Sequence, residues 1–376
     1  MRTSSAFGIS AAAVGLLGCS ASQVHLDPKT VTAVTLKLAT TEPTFCPGEP
    51  IKIEVRAQLQ DGSMCSSSDT SSTCMGKQGT LIDPNDLRLQ GSAGELKRAK
   101  EGIFWVPPDD PLVTADKGLS LRGWIESSAA GTAARSPLGQ VELRPDYRCL
   151  GGVFATPPPA APGQSGGPGP SIKVAATIIA TPFYPEALLV RVDHPNGRTY
   201  LLSTDRSKPL LVISKGQPGA AGAAGLSGSN GPDGPDGSSA TCEAGKPGTN
   251  GTDGRPGGAG GNGGPGGPVQ LFLDDAVADK MQGWLRVGSV GGDAGPGGRG
   301  GGGGAGGRGG MHSDNPGCVA ANGTHGHAGT NAPGGPPGQP GLPGPAPVVA
   351  NGNRQALFGE DLARLEALEA AAKAKR

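Results

Sequence analysis

Apolar and polar positions alternate with a period of two between residues 26 and 155. Val34, Leu36 and Leu38 are set off by Thr35, Lys37 and Ala39. Ile51, Ile53, Val55, Ala57 and Leu59 are set off by Lys52, Glu54, Arg56, Gln58 and Gln60. Such alternation predicts strands that bury one face. Asp61-Gly62 is a turn signal that closes the second of them. Leu119, Leu121 and Ile125 continue the pattern around Gly123, and Val141 and Leu143 predict a further strand. Roughly six to seven strands fit a β-sandwich. Trp105 and Trp124 are expected to pack in it rather than to form a sugar-stacking platform.

Residues 156–171 are rich in Pro, Ala and Gly and predict an extended linker. A small β segment follows at 172–215, with strands at 172–180 and 187–192 and a Pro195-Asn196-Gly197 turn into 198–203. A last strand is expected at 210–213. The period then changes from two to three. Glycine recurs at every third residue from Gly216 to Gly237, again from Gly245 to Gly266, from Gly292 to Gly310, and from Gly323 to Gly344 with Ala332 in one glycine position. A repeat of three predicts a left-handed polyproline II helix in each run. Residues 269–290 interrupt the series with an expected strand–helix–strand insert. Leu362, Leu365 and Leu368 near the C-terminus share one helical face, and Lys373, Lys375 and Arg376 suit the C-terminal end of its dipole.

Two architectures use a three-residue repeat: a trimeric collagen helix and a single-chain bundle of polyproline II helices. A disordered glycine-rich tail is the third possibility. Three features favour the monomeric bundle. The second and third runs shift to two glycines per triplet, as in Gly257-Gly258-Ala259 and Gly306-Gly307-Arg308, which collagen does not need. Three of the four runs span the same 21 steps from first to last glycine, which suits antiparallel neighbours. The interruptions carry Cys242 and Cys318, as stapled bends would. The runs resemble both bacterial collagen-like proteins and the glycine-rich bundles of a snow-flea antifreeze protein and phage tail adhesins. The first β region resembles the immunoglobulin-like modules of bacterial surface proteins.

The N-terminus sets the expected compartment. Arg2, a short apolar stretch and Leu16-Leu17-Gly18-Cys19 resemble the signal and lipobox of bacterial lipoprotein precursors. That resemblance implies cleavage after residue 18, lipidation of Cys19 and, with Ser20 and Ala21 following, delivery to the outer membrane. Six cysteines then remain, an even set suited to disulfides in an exported chain. Sequence does not fix the pairing; proximity favours Cys65 with Cys74, Cys46 with Cys149, and Cys242 with Cys318. Lys+Arg and Asp+Glu are balanced at 32 each, so no nucleic-acid footprint is present.

Metal and calcium sites find little support. His325 and His327 are weak metal candidates beside His312 and Cys318. Asp233 and Asp236 are similar to residues of calcium-binding glycine repeats but lack that family's nine-residue period. No nucleophile, zinc or phosphate motif occurs, so no enzyme and no cofactor are expected.

The expected fold class is mainly β plus polyproline II. Its parts are a signal segment at 1–18, an immunoglobulin-like β-sandwich at 19–155, a linker at 156–171 and a small β segment at 172–215. The glycine-rich domain spans 216–346 with its insert at 269–290, and a C-terminal helix spans 347–376. The expected role is structural or adhesive, lipid-anchored at the outer membrane and probing polysaccharide or another surface protein. The alternative is a ligand-binding or enzymatic lipoprotein with its site in the β-domains and the repeats as a stalk.

Overall fold

The computed structural model describes residues 22–40, 42–99, 101–127, 134–312, 317 and 321–375. The expected signal segment and Cys19 lie outside them, as does Cys318. The chain is mainly β, 34% strand and 10% helix, arranged in several sheets. It forms two compact units. One is built from residues up to Asp109 together with Lys117–Pro145, the other from Asp110–Asp116 together with the residues from Asp146 onward.

In the first unit, alternation produces two sheets around one core. Val31–Leu38 and Gly102–Val106 both pair antiparallel with Ile51–Leu59 in one sheet. Leu87–Gly91 and Gly139–Pro145 both pair antiparallel with Leu119–Ser127 in the other. Ile53, Val55, Ala57, Trp105, Leu121 and Ile125 are fully buried between them. Gly123 breaks the apolar alternation for a packing reason: a Cβ there would press on Leu36 and Leu89 Cδ2, each at 2.8 Å. Trp105 is a core residue whose indole N–H donates to Ala93 O at 2.9 Å.

The second unit carries the glycine runs. Its strands are β1 (Gly152–Ala155), β2 (Ile172–Ile179), β3 (Ala187–His194), β4 (Gly197–Ser203), β5 (Leu210–Lys215), β6 (Val269–Asp274), β7 (Leu285–Val290) and β8 (Val348–Gly352). Its helices are α1 (Ala278–Met281), α2 (Arg354–Phe358) and α3 (Leu362–Lys375). Strands β1, β5 and β7 form a parallel three-stranded sheet. The other sheet has the order β4-β3-β2-β6-β8, in which β2, β6 and β8 are parallel. Ile172, Val174, Val190, Val212, Leu271 and Trp284 belong to the core shared by the two sheets. The far face of the five-stranded sheet packs Ala175, Leu189 and Leu202 against Phe358, Leu365 and Leu368 of α2 and α3. Arg198 and Tyr200 of β4 fasten the start of α3 through Glu360 and Asp361, at 2.7 and 2.8 Å.

The glycine runs prolong these two sheets. Strand β5 passes into run 1 (216–237) and β7 into run 3 (292–310), while run 2 (245–266) feeds β6 and run 4 (323–344) feeds β8. Runs 1 and 3 are parallel: Gly219, Gly222 and Gly225 donate to the carbonyls of Asp293, Pro296 and Arg299, and so on to Gly237 and Met311. Runs 2 and 4 are parallel in the same way, Gly248 donating to Thr324 O and Gly263 to Gln339 O. Between these two layers the pairing is antiparallel. Gly258 donates to Ala223 O, Gly298 to Gly258 O, and Gly335 to Gly298 O. The side-chain layer that ordinarily holds packed sheets about 10 Å apart is absent here, and the two layers hydrogen-bond backbone to backbone.

That approach explains the glycines. Among the described residues, no glycine of the four runs has a positive φ, so they are not needed for backbone freedom. They are needed because a Cβ would overlap a carbonyl oxygen of the next run: Gly222 against Gly258, Gly251 against Gly304, Gly326 against Thr249. The doublets follow the same rule. In run 3, Gly300, Gly303 and Gly306 face run 4, while Gly301, Gly304 and Gly307 face run 1. In run 2 the doublets begin at Gly257-Gly258, and Gly261, Gly264 and Gly267 abut Gln164, Gly167 and Gly169.

Four expectations are thereby corrected. Residues 163–169 are not a free linker but a short fifth run, because Gly166 and Gly169 donate to Asn262 O and Pro265 O of run 2 and its close. The first domain does not reach residue 155, since β1 pairs with β5. The segment at 172–215 is larger than its own strands, because the insert's β6 and β7 join its sheets, as the sequence allows, and β8 joins them as well, which it does not foretell. The C-terminal region starts as strand β8 before it turns helical, since Val348–Gly352 finds an open neighbour in β6.

The close approach yields a paired test. Gly307→Ala should destabilise by roughly 3 kcal/mol or more, the upper range for overpacking. Gly302→Ala should be neutral or stabilising by up to about 1 kcal/mol, because its Cβ would meet only Asn331 Oδ1 at 3.6 Å. Thermal unfolding of both variants checks the difference.

Candidate functional site: the glycine array and its capped edges

Glycine is the sheltered residue of each triplet and nearly every other residue in the array is exposed. The array therefore has almost no side-chain core, and its polar side chains divide into two groups by what they touch.

The first group closes the array. Each of six Asn or Asp residues directly precedes a glycine and accepts an N–H from the parallel neighbour. Asn230, Asp233 and Asp236 of run 1 accept from Ala305, Arg308 and Met311 at 2.8, 2.6 and 2.8 Å. Asn250, Asp253 and Asn262 of run 2 accept from His327, Thr330 and Gln339 at 2.8, 2.6 and 2.8 Å. In each case the following glycine donates to the carbonyl of that same residue, so the pair grips one residue by both its N–H and its C=O. Thr330 also gives its hydroxyl to Asp253 at 2.7 Å. The backbone and hydroxyl donors of Thr330 hold the Asp253 carboxyl below its ordinary value of 3.8.

Threonines close the gap where the short run ends. Beyond residue 163 no fifth run covers run 2 among the described residues. There Thr252 Oγ1 accepts from Ser229 N at 2.7 Å and Thr249 Oγ1 donates to Pro232 O at 3.2 Å. On the other edge Asn322, His325 and Asn331 of run 4 accept from His312, Gly309 and Gly303 at 2.8, 3.1 and 2.9 Å. The Asx-Gly dipeptides recurring in the repeat were a readable signal for the clamps.

The second group is available for contact. Arg255, Arg299 and Arg308 are exposed and form no ion pair among the described residues. Thr324, Gln339, Pro296 and Ser227 are likewise exposed along the runs.

The expected site residues fall as follows. Cys65 and Cys74 form a disulfide with a Cα–Cα distance of 4.5 Å. Cys46, Cys149 and Cys242 are also disulfide-bonded. His325 Nδ1 accepts the Gly309 N–H, which requires that nitrogen to be unprotonated, whereas the His327 backbone N–H goes to Asn250. The two histidines thus serve different neighbouring runs. Asp233 and Asp236 are occupied as N–H acceptors. Among the described residues no three His, Cys, Asp or Glu side chains converge. A cavity of about 380 Å³ lies beside β1 and the β3–β4 turn, lined by Phe154, Pro157, Pro158, Pro170, His194 and Asn196. Its His194 Nδ1 accepts from Asn196 N at 3.2 Å.

The chain matches no known protein family, no curated protein and no solved structure.

The depressed Asp253 carboxyl gives the clamp a pH dependence of definite sign. A folded-state value below the unfolded one contributes stability above the unfolded value, and that contribution is lost as acidification passes through the folded one. Amide exchange at Thr330 should accelerate on acidification in the wild type. It should be fast at every pH in Asp253→Ala, and slow and nearly pH-independent, after correction for intrinsic exchange, in Asp253→Asn, whose amide oxygen can accept as Asn250 does.

Proposed function

We propose that this chain is a lipid-tethered outer-membrane surface protein with a structural or adhesive role and no catalytic one. In this reading Cys19 carries the lipid. The first unit is an immunoglobulin-like sandwich, and the glycine array is a rigid monomeric bundle of polyproline II helices presented to the surroundings. The observation that carries the reading is the hydrogen-bonded lattice of glycine runs, in which each triplet turns its side chains outward. A run of this length in polyproline II conformation reaches about 65 Å, a long, thin platform held by backbone bonds. Each such bond contributes about 1 kcal/mol net, and disulfide-bonded Cys242 sits in the bend between runs 1 and 2.

Polar side chains at a fixed three-residue spacing suit a repetitive partner, either polysaccharide or another surface protein. The alternative, a ligand-binding lipoprotein with the repeats as stalk, would use the cavity at Phe154.

Two measurements test the proposal. Cys19→Ser should move the protein from the membrane to the soluble fraction and abolish acyl labelling. Cells producing a chain whose glycine runs are shortened by equal whole triplets on either side of both bends, with β6 and β7 left in place, should keep the tether and lose adhesion or matrix integrity. Unchanged adhesion in those cells, with loss only on Phe154→Ala, would favour the alternative. In sedimentation the full chain in detergent should run as a monomer that expands on reduction, whereas a trimer would replace the bundle with a collagen helix.

A further inference from the structure

The corner of the array diagonally opposite the short run carries the same signature as the lane which that run fills. On run 2, the second position of each triplet bears Thr249 and Thr252 toward the bends, where their side chains reach across to run 1. Toward the sheets it bears Gly258, Gly261 and Gly264, and residues 164–167 lie against the last two. On run 4, the third position bears Asn322, His325 and Asn331 toward the bends, and each caps an outward N–H of the segment from Gly303 to His312. Toward the sheets the same position bears Gly334, Pro337, Pro340 and Pro343. None of these has a side chain that accepts a hydrogen bond.

The facing row on run 3 is correspondingly open. In the register set by Asn331 and Gly303, residue 334 faces Gly300, residue 337 faces Gly297 and residue 340 faces Ala294. The N–H groups of Ala294, Gly297 and Gly300 have no acceptor among the described residues. The equivalent N–H groups of run 1 donate to run 3, and those of run 2 donate to run 4. Capping by Ala328 is likewise impossible at Gly306, but there the row is bordered on both sides by the capped Gly303 and Gly309. The open stretch therefore lies beside the sheets, the same half of the array in which the short run lies at the opposite corner.

We propose that this lane, bounded by run 3 and the Gly334–Pro343 stretch of run 4, binds one further extended peptide strand from a partner protein. The strand carries glycine at every third residue and runs parallel to run 3. Three considerations fix its chemistry. The lane offers donors at every third residue, so the guest must present carbonyls with that period. Its floor is backbone and proline ring, so the guest needs a bare face. The lattice already pairs runs within a layer in parallel. The inference rests on the hydrogen-bond lattice and not on the lipid tether, so either can fail without the other.

A fluorescein-labelled peptide of repeated Gly-Gly-Pro triplets, titrated with the full chain in detergent, tests it. The controls are a glycine-free oligoproline peptide and a dextran oligosaccharide. Saturable binding of the glycine peptide should shift the amide resonances of Gly297 and Gly300. The double variant Pro337→Asn/Pro340→Asn would supply at Gly297 and Ala294 the caps that Asn331 supplies at Gly303. It should unfold no more easily than the wild type and lose about tenfold or more in affinity, equivalent to about 1.4 kcal/mol. The proposal is overturned by absent binding, by equal binding to the double variant, by shifts confined to other residues, or by dextran producing those shifts when the peptide does not.

Discussion

The second unit depends on one steric constraint: two layers of extended backbone touch without side chains between them. Burial of apolar area drives ordinary two-sheet packing, and it does so where β2, β3 and β5 meet around Val174, Val190 and Val212. A few residues further along the same strands, that driving force disappears. What replaces it is direct N–H to carbonyl bonding between layers, possible only where no Cβ intervenes. Glycine is a costly choice for an ordered segment, at roughly 0.5–1 kcal/mol relative to alanine. The chain accepts it at every contact because overlap with a carbonyl oxygen would cost more.

A lattice of this kind has an edge problem like that of a β-sheet, and the edges are treated one by one. Run 2 loses its short neighbour beyond residue 163 and gains Thr249 and Thr252 at that place. Run 4 uses Asn322, His325 and Asn331 toward its bend and prolines toward the sheets. Proline has no N–H to leave unpaired. Within each layer the Asn and Asp clamps hold by two bonds a residue that glycine alone would hold by one. Composition along each run thus records which neighbours it has, residue by residue.

Much of this was legible before any coordinates. The period of two in Ile51–Leu59 and the period of three from Gly216 onward announce strands and glycine runs directly. The doublets in runs 2 and 3 marked contact on more than one face. What periodicity could not disclose was partnership. Residues 163–169 keep the three-residue period at Gly163, Gly166 and Gly169 but over only two triplets inside a Pro/Gly-rich stretch, so it is the bonds of Gly166 and Gly169 to run 2 that reveal them as part of the array. Likewise, Val348–Gly352 is a strand because β6 offers an open side, a fact with no local signal. The clamps were visible as Asx-Gly dipeptides, yet an exposed Asp reads as solvated until the neighbouring N–H is located. Cys19 lies outside the described residues, and its part in the site rests on the lipobox resemblance alone.

The register shared by the runs also limits how such a molecule can change in size. An insertion of one or two residues in any run would rotate its bare face away from the adjoining carbonyls. An added triplet in run 1 alone would leave a glycine with nothing beside it. Growth has to come in whole triplets placed on either side of both bends, so that the four long runs lengthen together. Platforms of this design should therefore occur in discrete sizes, each step adding four triplets.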